Sequence, residues 1–155
     1  MRTSRGLALG AISGLRSFSG PAFVSRAASQ GYLKLGGSPL AFLGSKRLSQ
    51  ALMVMALGEL VGDKSSITPS RTSPPVLLWR AASGGLVGAA SFVSEDRSAA
   101  TGVALGSIAA IAAAIAGEWL RALAGRKTGL PDPVVALAED AVVIFVGFRS
   151  LKEVR

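Results

Sequence analysis

The stretch Ala99–Ala124, AATGVALGSIAAIAAAIAGEWLRALA, decides the fold class of this chain. It exceeds the roughly 20 residues that a membrane-spanning helix takes. Apolar and polar residues do not alternate in it, and alanine has the highest helix propensity, so a strand reading fails. Yet Glu118 and Arg121 stand inside it. An ionised side chain in hydrocarbon costs roughly 2.5–3.5 kcal/mol even on a lenient insertion scale. A charge in such a stretch therefore needs a partner, a water-filled cavity or a task. At three residues apart, Glu118 and Arg121 are expected to pair with each other.

Four further apolar segments surround this one, at about 6–28, 48–62, 74–94 and 133–148. By length, segments 6–28, 74–94 and 99–124 qualify as spans, while 48–62 and 133–148 are short and carry acids near their middles. Pro74 and Pro75 suit the first turn of a helix, where their missing amide hydrogens do not matter. Gly62-Asp63-Lys64 and Gly125-Arg126-Lys127 read as helix ends. Gly20-Pro21 reads as a kink or break in the first segment, tolerated at depth only under cover of protein or water. Arg16 interrupts what would otherwise resemble a signal peptide, so the first segment reads as a retained helix. The expectation is an all-α bundle of four to five membrane helices in a single domain, 1–155.

Composition agrees. Half of the residues are hydrophobic, 17% are charged, and mean hydropathy is +0.48. Soluble domains carry about 25% charge. The chain has no Cys and no His, which excludes disulfides, thiolate nucleophiles, Cys/His zinc sites and imidazole acid–base chemistry. No cofactor motif is present, and Gly14-Leu15-Arg16-Ser17-Phe18-Ser19-Gly20-Pro21 lacks the ending of a phosphate loop. Net charge is +8. The bases flank apolar segments, which points to lipid headgroups and away from nucleic acid. With five spans, the bases divide almost evenly between the two sides, and the positive-inside rule gives no orientation.

Small residues recur at four-residue spacing: Gly6, Gly10 and Gly14; Gly84 and Gly88; Gly102 and Gly106. This is the pattern of tight helix crossings, within the chain or in a homo-oligomer. A faint repeat relates Leu7-Ala8-Leu9-Gly10 to Val103-Ala104-Leu105-Gly106, and Met55-Ala56-Leu57-Gly58-Glu59 to Val135-Ala136-Leu137-Ala138-Glu139. With one span between them, the two pairs would form an inverted repeat, an architecture common in transporters.

Two acid clusters carry the functional expectations. Glu59 and Asp63 share a helix face, and two acids there repel unless a cation, a base or a proton comes between them. Glu139 and Asp140 lie mid-segment, pointing about 100° apart. Asp132 sits where a helix N-cap belongs. If the repeat holds, Glu59 and Glu139 face each other and could bind a cation through oxygen ligands; which metal, the residues do not say. Arg16 and Arg80 have no local acid and are candidates to meet Glu59, Glu139 or Asp140 between helices. Two functions follow: a small transporter or channel using Glu59, Asp63, Glu139 and Asp140 as a cation or proton site, or a non-catalytic scaffold in which the same charges form structural pairs. An enzyme is the weaker reading, because no acid–base–nucleophile group is visible.

Four pieces in order resemble a known family: Gly14-Leu15-Arg16-Ser17-Phe18, Gly58-Glu59-Leu60-Val61-Gly62-Asp63-Lys64, Gly84-Gly85-Leu86-Val87-Gly88-Ala89, and Pro131-Asp132-Pro133 with Glu139-Asp140. They are similar to the bacterial domain-of-unknown-function family numbered 4126, small integral membrane proteins. The resemblance implies a multi-pass protein of the bacterial cytoplasmic (inner) membrane with the lipid bilayer as its partner. It supplies no activity. The chain departs from the family pattern in having Arg16 where an uncharged residue is common.

Overall fold

The computed structural model describes residues 2–62, 72–128 and 132–152. These form α1 (Arg2–Leu15), α2 (Ser19–Ser29), a short 3-10 helix (Pro39–Gly44), α3 (Lys46–Gly62), α4 (Pro74–Val93), α5 (Ala99–Thr128) and α6 (Asp132–Lys152). The fold is all-α, with no strand among the described residues. Pro74 opens α4 as expected. Gly125 does not end α5, which continues to Thr128. A lone glycine costs a helix only about 1 kcal/mol, too little to stop one this long.

The first apolar segment is not one span. It breaks at Arg16–Phe18 into α1 and α2. Gly20 packs against Ser13 and Leu9, so α2 folds back over α1. Pro21 lies in the first turn of α2, where a missing N–H is tolerated. Gly31, at φ +79°, ends α2 in a Schellman motif: the Tyr32 N–H donates to the Ala27 carbonyl at 2.9 Å and the Gly31 N–H to Ala28 at 3.0 Å. At about 1.5 Å per residue, α1 and α2 measure roughly 21 and 16 Å. Neither alone covers a hydrocarbon core of about 30 Å.

The glycine stripes face one another inside the chain. Gly10 meets Gly106, Gly14 meets Ala110, Gly84 meets Gly106 and Ala110, and Gly88 meets Gly102. A β-carbon on Gly102 would stand 2.5 Å from the Gly88 carbonyl oxygen, and one on Gly10 would stand 2.9 Å from that of Gly106. Backbones this close admit only hydrogen at the contact. These stripes are therefore used within the chain, one of the two uses that their spacing allows.

The same pairs set direction. Residues 10 and 14 advance with 106 and 110, so α1 runs parallel to α5, while 84 and 88 run against 106 and 102. An inverted repeat needs α1 and α5 antiparallel, so the expected inversion is overturned. Its physical cause is the α1–α2 hairpin, which returns the chain to its starting end and adds one reversal before α5.

The hairpin tip lies deep. Gly14 packs on Ala110, and Leu15 shares a groove with Gly117 and Leu120, all near the middle of α5. The core around it gathers Leu9, Ile12, Phe23, Val24, Ala27, Leu43, Val87 and Val143. Outward faces stay apolar: Val54, Leu57 and Val61 on α3, Ile108, Ile115 and Trp119 on α5, Leu137, Val142 and Phe145 on α6. Two helices are long and apolar enough to cross a membrane, Pro74–Val93 at mean hydropathy 1.4 and Ala99–Lys127 at 2.0.

Candidate functional site

Breaking a helix exposes backbone groups at both new ends: carbonyls where α1 stops and N–H groups where α2 begins. In a buried setting each needs a partner. Two charged side chains from other helices supply them. The Glu59 carboxylate of α3 accepts from the Ser17 N–H at 2.7 Å through Oε1 and from the Phe18 N–H at 2.8 Å through Oε2. The Arg80 guanidinium of α4 donates to the Gly14 carbonyl oxygen. Each charge opposes the partial charge of the helix end it meets, anion at the N-terminus and cation at the C-terminus. Ser83, one turn along α4, donates its hydroxyl to the Ser17 carbonyl. The Phe18 and Trp79 rings close over the tip, with centroids 5.8 Å apart.

Arg16 sits at the break and is fully buried. Its Nε and Nη2 donate to Asp140 Oδ1 on α6 at 2.9 and 2.5 Å. Asp140 is itself 6% exposed. The pair ties the tip to α6 through charge-assisted bonds, the stronger kind. Next to it, Arg121 on α5 bonds Glu139 on α6 at 2.8 Å. Four helices, α3, α4, α5 and α6, thus send charged groups toward the break or its immediate support.

The sequence expectations sort against this geometry. Arg16 meets Asp140, one of its three anticipated acids. Arg80 reaches a backbone carbonyl of the tip, which spacing alone did not suggest. Glu59 holds backbone amides, and Glu139 holds Arg121, so different partners engage the two acids expected to face each other. Arg121 reaches across to α6 although Glu118 lies three residues away on its own helix. Asp63 and Lys64 lie outside the described residues, as does the side chain of Asp132. Among the described residues, no three acids converge as a metal-binding group.

Three participants escaped the sequence reading: Ser83, the Gly14 carbonyl and the tip amides. A signal was present in the serines at 13, 17 and 19 beside Gly20-Pro21, small polar residues that suit a covered break. The arrangement clamps a backbone discontinuity with fixed ionic and polar bonds.

Fold and site together define an all-α protein organised on a broken helical hairpin, its tip held by charges from the surrounding helices. The chain belongs to the family described as a domain of unknown function (DUF4126), whose model matches residues 4–152. No curated protein and no solved structure matches it.

Proposed function

We propose that this chain is a multi-pass protein of the bacterial cytoplasmic membrane, built around a re-entrant hairpin, and that it serves as a non-catalytic scaffold whose buried charges are structural. The membrane reading is supported by the two apolar helices and by the apolar outward faces of α3, α5 and α6. The scaffold reading is carried by one observation: both oxygens of Glu59 are already bonded to the tip amides. A carboxylate held that way is poorly placed to exchange a cation or a proton. Oligomers, in this reading, form through exposed apolar faces such as Val54, Leu57 and Val61 on α3.

The hairpin also supports an orientation. It returns α2 to the end where α1 starts. That end collects Arg26, Lys34, Lys46, Arg47, Arg97 and Arg149, whereas the described residues of the opposite end carry Arg126 and Lys127. Bases concentrate on the cytoplasmic side of membrane proteins. The base of the hairpin therefore faces the cytoplasm.

A second reading, transport of a cation or proton through Glu59, Asp63, Glu139 and Asp140, is favoured by the break itself. Transporters place discontinuous helices at mid-membrane, with half-helix ends facing their ligands. Ion flux into proteoliposomes separates the two. The scaffold reading expects wild type, Glu59→Gln and Glu139→Gln to match empty liposomes. Wild-type flux abolished by either substitution would overturn it in favour of transport.

A further inference from the structure

We propose that the groove between α3 and α4 binds an anionic phospholipid, with one acyl chain along the groove and the headgroup phosphate at Lys46 and Arg47. This rests on the membrane reading above. The groove has a volume of about 350 Å³, within the roughly 300–1,000 Å³ usual for small-molecule sites. Leu48, Leu52 and Met55 line it from α3, Trp79, Ala82 and Leu86 from α4, and Pro21, Phe42 and Leu43 from α2 and the 3-10 helix. The α3 and α4 sets each lie on a single helix face, and the α3 set spans roughly 10 Å.

The inner end of the groove stops at Ser17 and Phe18. The backbone there is already engaged: the Ser17 N–H by Glu59 and the Ser17 carbonyl by the Ser83 hydroxyl. A ligand lying in the groove therefore meets hydrocarbon-like surface along its length. The outer end lies where α3 begins, and there Lys46 and Arg47 stand exposed immediately before Leu48. No acidic residue precedes Glu59 anywhere in the chain. In the turn after α4, Glu95 is engaged by Arg97 at 3.8 Å, and Asp96 is exposed. An apolar slot with exposed bases at the start of a helix that lines it complements a molecule with an apolar tail and an anionic head. Bases at the membrane surface attract such lipids.

The chain's two tryptophans make the test direct, because Trp79 lines the groove and Trp119 is exposed on α5. Trp119→Phe and Trp79→Phe variants leave one reporter each. Each is placed in phosphatidylcholine vesicles containing an equal fraction of chain-brominated phosphatidylglycerol or chain-brominated phosphatidylcholine. The proposal expects Trp79 to be quenched several-fold more effectively by the anionic lipid, and Trp119 to be quenched equally by both. Adding Lys46→Gln and Arg47→Gln should bring the Trp79 response to the level of the zwitterionic lipid. Equal quenching of Trp79 by both lipids with the bases intact overturns the lipid site while leaving the membrane reading standing. No quenching of Trp119 by either lipid overturns the membrane reading, and the lipid site with it.

Discussion

Arg16 and Asp140 are 124 positions apart in the chain and 2.5 Å apart in the fold. One stands at the break between two half-helices, the other in the middle of the last helix. Neither is explicable alone in an apolar bundle. Together they tie the hairpin tip to α6, and their neighbours Glu59, Arg80 and Ser83 satisfy the backbone that the break leaves open.

Glu59→Gln should loosen the tip without unfolding the bundle. A glutamine offers one acceptor oxygen to two N–H donors, and its own amide group confronts the second. Leaving such a donor unsatisfied costs about 1–3 kcal/mol. Amide hydrogen exchange at Ser17 and Phe18 should quicken by roughly ten- to a hundredfold, at 1.4 kcal/mol per tenfold. Unchanged exchange at both amides would show that the carboxylate does not hold them.

The glycines divide into two kinds. Gly88→Ala pushes a methyl into the Gly102 backbone and should cost about 1–3 kcal/mol, as overpacking does. Gly58, one turn before the end of α3, has nothing near its missing side chain. Gly58→Ala should stabilise by up to about 1 kcal/mol through helix propensity. Thermal denaturation in detergent compares them, and equal effects from the two would refute the close-crossing account.

The absence of cysteine makes topology measurable with single substitutions. Ser4→Cys and Gly36→Cys flank the hairpin, and Lys127→Cys lies at the other end of the bundle. A membrane-impermeant maleimide applied to intact cells should label Lys127→Cys and spare the other two. Ser4→Cys and Gly36→Cys responding oppositely would mean that the first segment spans the membrane after all.

Much of this was readable from the residues, and the remainder was hidden for definite reasons. The Ala-rich run of α5 and the Pro-led start of α4 announce helices through propensity and periodicity alone. The glycine spacing announced close crossings but not their partners, because a small-residue face reads the same within a chain as between chains. The break was anticipated at Gly20-Pro21 and lies slightly earlier, at Arg16–Phe18. Its position depends on Glu59, 42 residues from Ser17, and local sequence carries no trace of so distant a cap. The acid of Gly58-Glu59-Leu60 reads identically whether it awaits a cation or closes a helix. The faint repeat misled for a similar reason: Ala/Leu-rich strings match easily, and direction enters only through contacts such as Gly10 with Gly106.

The most direct test is a double-mutant cycle on Arg16 and Asp140, read as unfolding free energy of the reconstituted protein. Removing one member of a buried pair strands the other charge, so Arg16→Met and Asp140→Leu should each cost about 3–5 kcal/mol. The double variant, apolar on both sides, should cost less than the sum of the two single losses. Contacting residues couple by about 0.5–3 kcal/mol, and this pair belongs at the upper end of that range. Strictly additive losses, or an Asp140→Leu variant as stable as wild type, would contradict the claim that the buried charges lock the hairpin.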